Sequence, residues 1–403
     1  MKKINILLLL LTLGFFISCD KDDSSKMHSF TGKAQKGPYI QGTTITVHEL
    51  KPDLGQTGQS FTTSVTDDDG SFSLSNIDMT SNLALLTATG YYFSEVYDRV
   101  SGAPLTLQAL TDLAGKDQIN INVLTHLIKG RIEKLVAGGL NFQQANEQAK
   151  SEMLSFLGVT GTFENDFDNL DISAAEEYNA VLLAFSILLQ RRSFNYLDQA
   201  STSTPELTQL LSRLSADFAE DGLISDQKSI DTLLYNISQL NLIDMRNIVK
   251  NRYSSLGQSV TISDFEKYII KFLEKHGDNY MSFAYPETAI VMLGSHNEFP
   301  NILIPSETVF YSDTIYTIAA ITPLNKSLKI KFTGSSYIQL GHPFGWELTN
   351  EYPDGFTLES QRQSSLMTVQ IAFTLPGTAI IEYYENSDTP TFSKEIGWQK
   401  IGD

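Results

Sequence analysis

The sequence predicts an α+β multidomain chain with an N-terminal β-sandwich, a central all-α bundle of about seven helices and a C-terminal antiparallel β-sandwich. Three observations carry this. Apolar residues alternate in short segments up to about residue 112, recur every three or four residues over 113–277, and alternate again over 280–403. With 41% hydrophobic residues in 403, there is ample apolar material for packed cores. A net charge of −18 argues against nucleic acid or anionic lipid as partners, because both require basic patches.

Residues 1–18 read as a signal peptide and 19–27 as a polar tether. Lys2 and Lys3 form a basic start, and Ile4 to Ile17 form an apolar run too short for a membrane span, which needs about 20 apolar residues. Ser18 then precedes Cys19, the only cysteine, which has no partner for an internal disulfide. Phe16-Ile17-Ser18-Cys19 resembles the lipobox of bacterial lipoproteins, although the first position is usually leucine. The resemblance implies that the Cys19 thiol is diacylated, the bond before it cut and the new amine acylated, which makes the membrane a partner through a lipid anchor. Removing Lys2 and Lys3 takes the charge from −18 to −20. Lys21-Asp22-Asp23 resembles the export tag of surface lipoproteins of Bacteroidetes-type bacteria and implies an outer-membrane anchor facing the cell exterior. Asp20 resembles an inner-membrane retention signal, and the alternative is therefore an inner-membrane anchor facing the periplasm.

Over 28–112, the segments Thr43 to Val47, Phe72 to Leu74 and Leu83 to Thr87 alternate like half-buried strands. Thr66 to Phe72 predicts a tight turn, with Asp67, Asp68 and Asp69 leading to Gly70 and Phe72 returning to the core. The three acids lack the spacing of a calcium loop and read as turn residues. Together with Gly32-Lys33-Ala34, Gly37-Pro38 and Ala88-Thr89-Gly90-Tyr91, this turn resembles a carboxypeptidase-regulatory-like, transthyretin-like β-sandwich, a module that implies a spacer next to the anchor. Tyr91-Tyr92-Phe93 would make a stacking platform only if exposed, and alternation buries at least one of them.

Over 113–277, Asn122 caps a helix ended by Gly138-Gly139, and Asn141 with Gln144 opens a second, stopped by Gly158. Ser173 and Glu176 form a capping box for a helix apolar nearly all round from Tyr178 to Leu189 apart from Asn179 and Ser186, which belongs at the centre of a bundle. Helices follow over Pro205 to Glu220, Asp226 to Gln239, Leu242 to Tyr253 and Asp264 to His276, the last opened by Ser263 and Glu266. His126 has no acid or second histidine at helical spacing and reads as a surface or capping residue.

Over 280–403, strands are expected at Thr314 to Ala319, Ser327 to Thr333, Gly345 to Thr349, Gly355 to Gln361, Met367 to Leu375 and Thr378 to Tyr384. Their spacing resembles an immunoglobulin-like sandwich in architecture, without its cysteine pair. Trp346, Trp398, Tyr383 and Tyr384 are the candidate anchors for a glycan or protein ligand. No phosphate loop, metal cluster, nucleophile elbow or catalytic spacing occurs, so no cofactor, metal or catalytic residue is assigned. The reading is a non-enzymatic binding or scaffold lipoprotein. Its alternative is an envelope hydrolase acting on glycans, whose carboxylate pair would be too scattered to form a motif.

Overall fold

The computed structural model describes residues 25–190, 203–238 and 242–276 and, beyond them, eleven strands between 288 and 399 together with 388–390. The fold is mixed α+β, with seven α-helices among the described residues. The expected signal peptide and most of the tether lie outside them.

The first part contains β1 (Lys26–Gln35), β2 (Thr44–Leu50), β3 (Gln56–Ser64), β4 (Ser71–Met79), β5 (Leu83–Gly90), β6 (Phe93–Ser94), β7 (Arg99–Val100), β8 (Leu105–Asp112) and β9 (Ile121–Asn122). A three-stranded sheet runs β4-β1-β9 and a four-stranded sheet β3-β2-β5-β8. Their inward residues alternate as the sequence predicts: Phe30 and Ala34 on β1, Phe72 and Leu74 on β4, Ile45 and Val47 on β2 are all buried. Gly32 is needed where the chain leading into β9 runs beside β1, since a Cβ there would lie 1.9 Å from the Ile119 carbonyl. The Asp67 to Gly70 turn forms as expected, with Gly70 at φ +86° and the Asp69 carboxylate accepting from Ser71 N at 3.0 Å.

From β9 the chain enters α1 (Val123–Ala137), then α2 (Phe142–Phe156), α3 (Asn179–Leu188), α4 (Ser203–Asp221), α5 (Gln227–Ser238), α6 (Leu242–Ser255) and α7 (Glu266–His276). Asn122 caps α1, its side-chain oxygen accepting from Leu124 N and Thr125 N at 3.0 Å. It is also the last residue of β9, so a single side chain joins sheet to helix. Asn141 and Gln144 form the capping box of α2. Every residue of α3 is buried, and it packs on α1, α5 and α7.

Two expected caps are not made. Ser173 is diverted to the Asp171 carboxylate, to which its N and Oγ donate at 2.8 and 2.7 Å, and α3 begins later, without a side-chain cap, after Tyr178. Ser263 donates to the Ala175 carbonyl at 2.5 Å, while Glu266 is fully buried against Arg246. Asp264 bonds Lys267 N instead, at 3.3 Å. At Ser263 a tertiary partner outcompetes the cap, whereas at Ser173 the competitor is a turn bond to Asp171 two residues before it, reinforced by Lys33 Nζ, which donates to Ser173 Oγ at 2.6 Å.

The boundary expected near residue 112 separates no cores. One hydrophobic cluster runs from Phe30 through α7 to Leu273, with α1 packed directly on β8. The sandwich and the helices are one body.

The C-terminal strands are β10 (Thr288–Ser295), β11 (Pro300–Leu303), β12 (Phe310–Tyr311), β13 (Ile315–Ile321), β14 (Leu328–Gly334), β15 (Ile338–Leu340), β16 (Trp346–Tyr352), β17 (Gly355–Ser360), β18 (Leu366–Phe373), β19 (Gly377–Glu385) and β20 (Phe392–Gln399). They form sheets ordered β11-β10-β13-β18-β15 and β12-β20-β19-β14-β17-β16. The six expected strands are present, but the arrangement is not wholly antiparallel, because β10 pairs parallel with β13 and β12 parallel with β20. Neither pair is joined by a tight turn. The intervening chain is long enough to return each second strand in the same direction.

Candidate functional site

The seam between sandwich and helices collects the buried polar groups. Lys36 follows β1, Glu95 follows β6 and Ser186 sits in α3; all three are buried, and the Lys36 ammonium meets Glu95 Oε1 at 2.5 Å. Ser186 Oγ lies 2.6 Å from the same carboxylate oxygen and against the Lys36 carbonyl. Burial pushes the Lys36 ammonium below its ordinary pKa, against the pull of Glu95. Beside it, Gln190 Nε2 donates to the Tyr92 hydroxyl at 3.0 Å and Ser94 Oγ donates to Gln190 Oε1 at 3.2 Å. Gly37 permits this closeness, since a Cβ would stand 2.1 Å from the Phe93 carbonyl. These groups include the residue types of acid–base chemistry, but the pair has no solvent-facing side for a substrate. It holds β1 and β6 to α3.

A second cluster joins β1 to the segment before α3 and to α6. Asp171 accepts from Gln35 Nε2 at 2.8 Å and pairs with Lys33 at 3.0 Å, while Gln35 Oε1 accepts from Ile172 N at 3.0 Å. Burial raises the Tyr253 hydroxyl well above its ordinary pKa, and the charges of Asp171 and Asp69 add to this. The acidic turn is docked here as well. Arg252 Nη2 donates to the Asp68 carbonyl at 2.7 Å, and Gln258 Nε2 donates to Asp69 Oδ2 at 2.9 Å. Burial favours the neutral Asp69 carboxyl, but hydrogen bonds from Gln258 and Ser71 and the charge of Lys33 hold it below its usual range. Among the described residues, no group of three or more His, Cys, Asp or Glu is placed to hold a metal ion.

An open feature among the described residues is a groove of about 620 Å³ between the end of α2, the loop after it and α7. Lys150, Lys271 and Lys275 line it with no carboxylate among its lining residues. Gly158 (φ +73°) presses the loop onto α7, where a Cβ would lie 2.4 Å from the Lys271 carbonyl. Lys275 and His276 cover the end of α2: Lys275 donates to the Ser155 carbonyl, and His276 Nε2 contacts the Phe156 carbonyl at 2.8 Å. Burial lowers the pKa of both, with the Phe156 contact opposing the shift at His276.

Cys19, Lys21, Asp22 and Asp23 lie outside the described residues. Register places positions 346, 383 and 398 on the sheet face of buried Phe332, Phe356 and Leu358, and position 384 on the opposite face. Tyr384 is not an exposed anchor. Only 9% of it is exposed, with the Lys329 ammonium 4.9 Å from its ring centre. Tyr91-Tyr92-Phe93 makes no platform, because Tyr92 and Phe93 are buried and only Tyr91 is exposed. His126 is half-buried on α1 rather than at the surface, and burial, with Lys129 adding, pushes it down to about 4.

Sequence reasoning missed Lys36 and Glu95 because they lie 59 positions apart. A signal was present in α3: Asn179 and Ser186, the two polar interruptions of its apolar run, are its contacts to Asp171 N and Glu95. Compared with known families, curated proteins and solved structures, the chain matches none.

Proposed function

We propose that this chain is a lipid-anchored cell-envelope lipoprotein, acylated at Cys19 and exported by Lys21-Asp22-Asp23 to the outer-membrane surface, where it acts as a non-enzymatic binding or scaffold protein. The carrying observation is the apolar run Ile4 to Ile17 ending in Ser18 and the sole cysteine. Among the described residues, no helix is long and apolar enough to cross a membrane. A scaffold role is supported by the use of charge in the body, where the buried Lys36–Glu95 pair joins the sandwich to α3 and the Lys33–Asp171 pair ties β1 to the segment before α3. The first strand starts at Lys26, so the seven residues from Cys19 reach at most about 25 Å. The body would therefore stand next to the lipid, as the carboxypeptidase-regulatory-like resemblance also suggests for its sandwich. The C-terminal sheets would be the immunoglobulin-like outer part, carrying Trp346, Trp398 and Tyr383.

Protease shaving of intact cells tests the surface claim. Wild-type protein is expected to be degraded, and a variant with Lys21, Asp22 and Asp23 replaced by Ala to be protected. Protection of the wild type would overturn the surface assignment.

A further inference from the structure

We propose that the groove between α2, the loop 158–163 and α7 binds an anionic saccharide, that is, a sugar bearing a carboxylate or phosphate group. The inference goes beyond the lipid-anchor reading and does not depend on it.

Charge is the first argument. The chain carries 47 acidic and 29 basic residues, yet the ionisable residues lining this groove are three lysines. Two of them have internal duties that leave donors free. Lys150 donates to Asp166 Oδ1 at 2.9 Å, and Lys275 reaches the Ser155 carbonyl and, at 3.1 Å, its hydroxyl. An ammonium has three N–H donors, so both can donate again. Lys271 makes no hydrogen bond or ion pair among the described residues; its ammonium lies 5.7 Å from the Tyr268 ring centre. The end of α2 is already answered by Lys275 and His276, so neutralising that helix does not require Lys271. Lys271 and Lys275, four residues apart on α7, share one face.

Shape and the remaining lining select the body that carries the anion. A volume of about 620 Å³ far exceeds that of a bare phosphate and is within the ordinary range of small-molecule sites. Leu154, Val159 and half-buried Phe163 offer apolar surface, while Ser151 and Thr160 offer hydroxyls. A lipid tail would leave the hydroxyls unmatched, and an inorganic ion would leave the apolar wall uncovered. A sugar ring presents a C–H face to Phe163 and hydroxyls to Ser151 and Thr160, and its acidic group reaches Lys271. The groove is open to solvent, so the sugar can be one unit of a longer glycan.

The test is isothermal titration calorimetry of the full-length chain in non-ionic detergent with glucuronate, glucose 6-phosphate, glucose and inorganic phosphate. Both anionic sugars are expected to bind at least about tenfold more tightly than glucose or phosphate, and less tightly at high salt. Lys271→Gln should weaken them about tenfold, whereas Lys271→Arg should stay within about threefold of wild type. Unfolding curves of both variants should overlay the wild type, because Lys271 makes no hydrogen bond or ion pair among the described residues and lies 5.7 Å from the Tyr268 ring centre. Absence of binding by both anionic sugars, equal binding of glucose, or unchanged binding by Lys271→Gln would overturn the site. Phosphate binding as tightly as glucose 6-phosphate would overturn the saccharide assignment. Protease shaving reports separately on the anchor reading, so the two proposals fail by different experiments.

Discussion

Lys36–Glu95 and Arg246–Glu266 are both buried ion pairs, with side-chain exposures of 0% and 1% in the first and 7% and 0% in the second, but they differ in how fully their atoms are matched. Arg246 grips both Glu266 oxygens, at 3.2 and 2.6 Å, and also donates to the carbonyls of Ile262 and Ser263. It thereby fixes the loop between α6 and α7. Lys36 reaches one oxygen of Glu95, and Glu95 Oε2 is buried with no hydrogen-bond partner among the described residues. A guanidinium fork can satisfy a carboxylate and a loop at once, whereas an ammonium is a point charge. The difference teaches that the α6–α7 pair closes a local loop with its atoms matched, while the Lys36 pair leaves a carboxylate oxygen unmatched at the seam where Ser186 of α3 meets the sandwich.

The largest effect should come from removing half of the weaker-matched pair. Lys36→Met leaves Glu95 buried without a counter-ion and should lower stability by about 3–5 kcal/mol, read from urea unfolding. Replacing both partners, Lys36→Met with Glu95→Leu, should recover most of that loss. The corresponding double replacement at Arg246 and Glu266 should remain destabilised by about 1–3 kcal/mol, because it strands the Ile262 and Ser263 carbonyls. Equal recovery at both sites would erase the distinction. Arg246→Lys alone should cost about 2–3 kcal/mol, since a lysine cannot hold the carboxylate and two carbonyls together.

The same contrast separates two histidines and gives the smallest effect. His126 Nδ1 is buried without a hydrogen-bond partner among the described residues, whereas His276 has the Phe156 carbonyl. The folded pKa of His126 is depressed from 6.5 to about 4. Between those values the unfolded chain binds a proton that the folded chain refuses, so stability is present above the unfolded value and falls as pH drops through this window. From pH 7 to pH 5 the loss due to His126 should be about 2 kcal/mol. His276, shifted in the same direction, adds to it. His126→Gln should flatten most of the slope and His276→Gln a smaller part, both measured by urea unfolding at the two pH values. An unchanged slope in His126→Gln would show that the folded protein accepts that proton.

The elements were legible where the signal was local. Asn122, Asn141 and Gln144 cap the helices their spacing predicts, and Gly138 and Gly158 end them. Gly70 makes the turn that the aspartates announce. What failed depended on distant chain. Ser173 and Ser263 have the spacing of caps, but Lys33 from β1 donates to the Ser173 hydroxyl and the Ala175 carbonyl takes that of Ser263. Periodicity changes at residue 112 suggested a domain boundary, yet a change of secondary structure is not a change of core, and α1 completes the sandwich's hydrophobic interior. Strand β10, with the run Ala289 to Leu293, was missed because a continuous apolar run does not alternate. The groove had one legible hint, the lysines spaced by four along α7 from Lys267, although Lys267 itself is held by Glu177.

The proposed function turns on Cys19, and the mass of the mature N-terminus tests it most directly. Protein extracted from membranes of the native host and digested should yield an N-terminal peptide beginning at Cys19 and carrying two or three acyl chains, with Cys19→Ser leaving the chain uncut and unacylated. A wild-type peptide beginning at Cys19 without acyl groups, or an unprocessed start at Met1, would contradict the anchor.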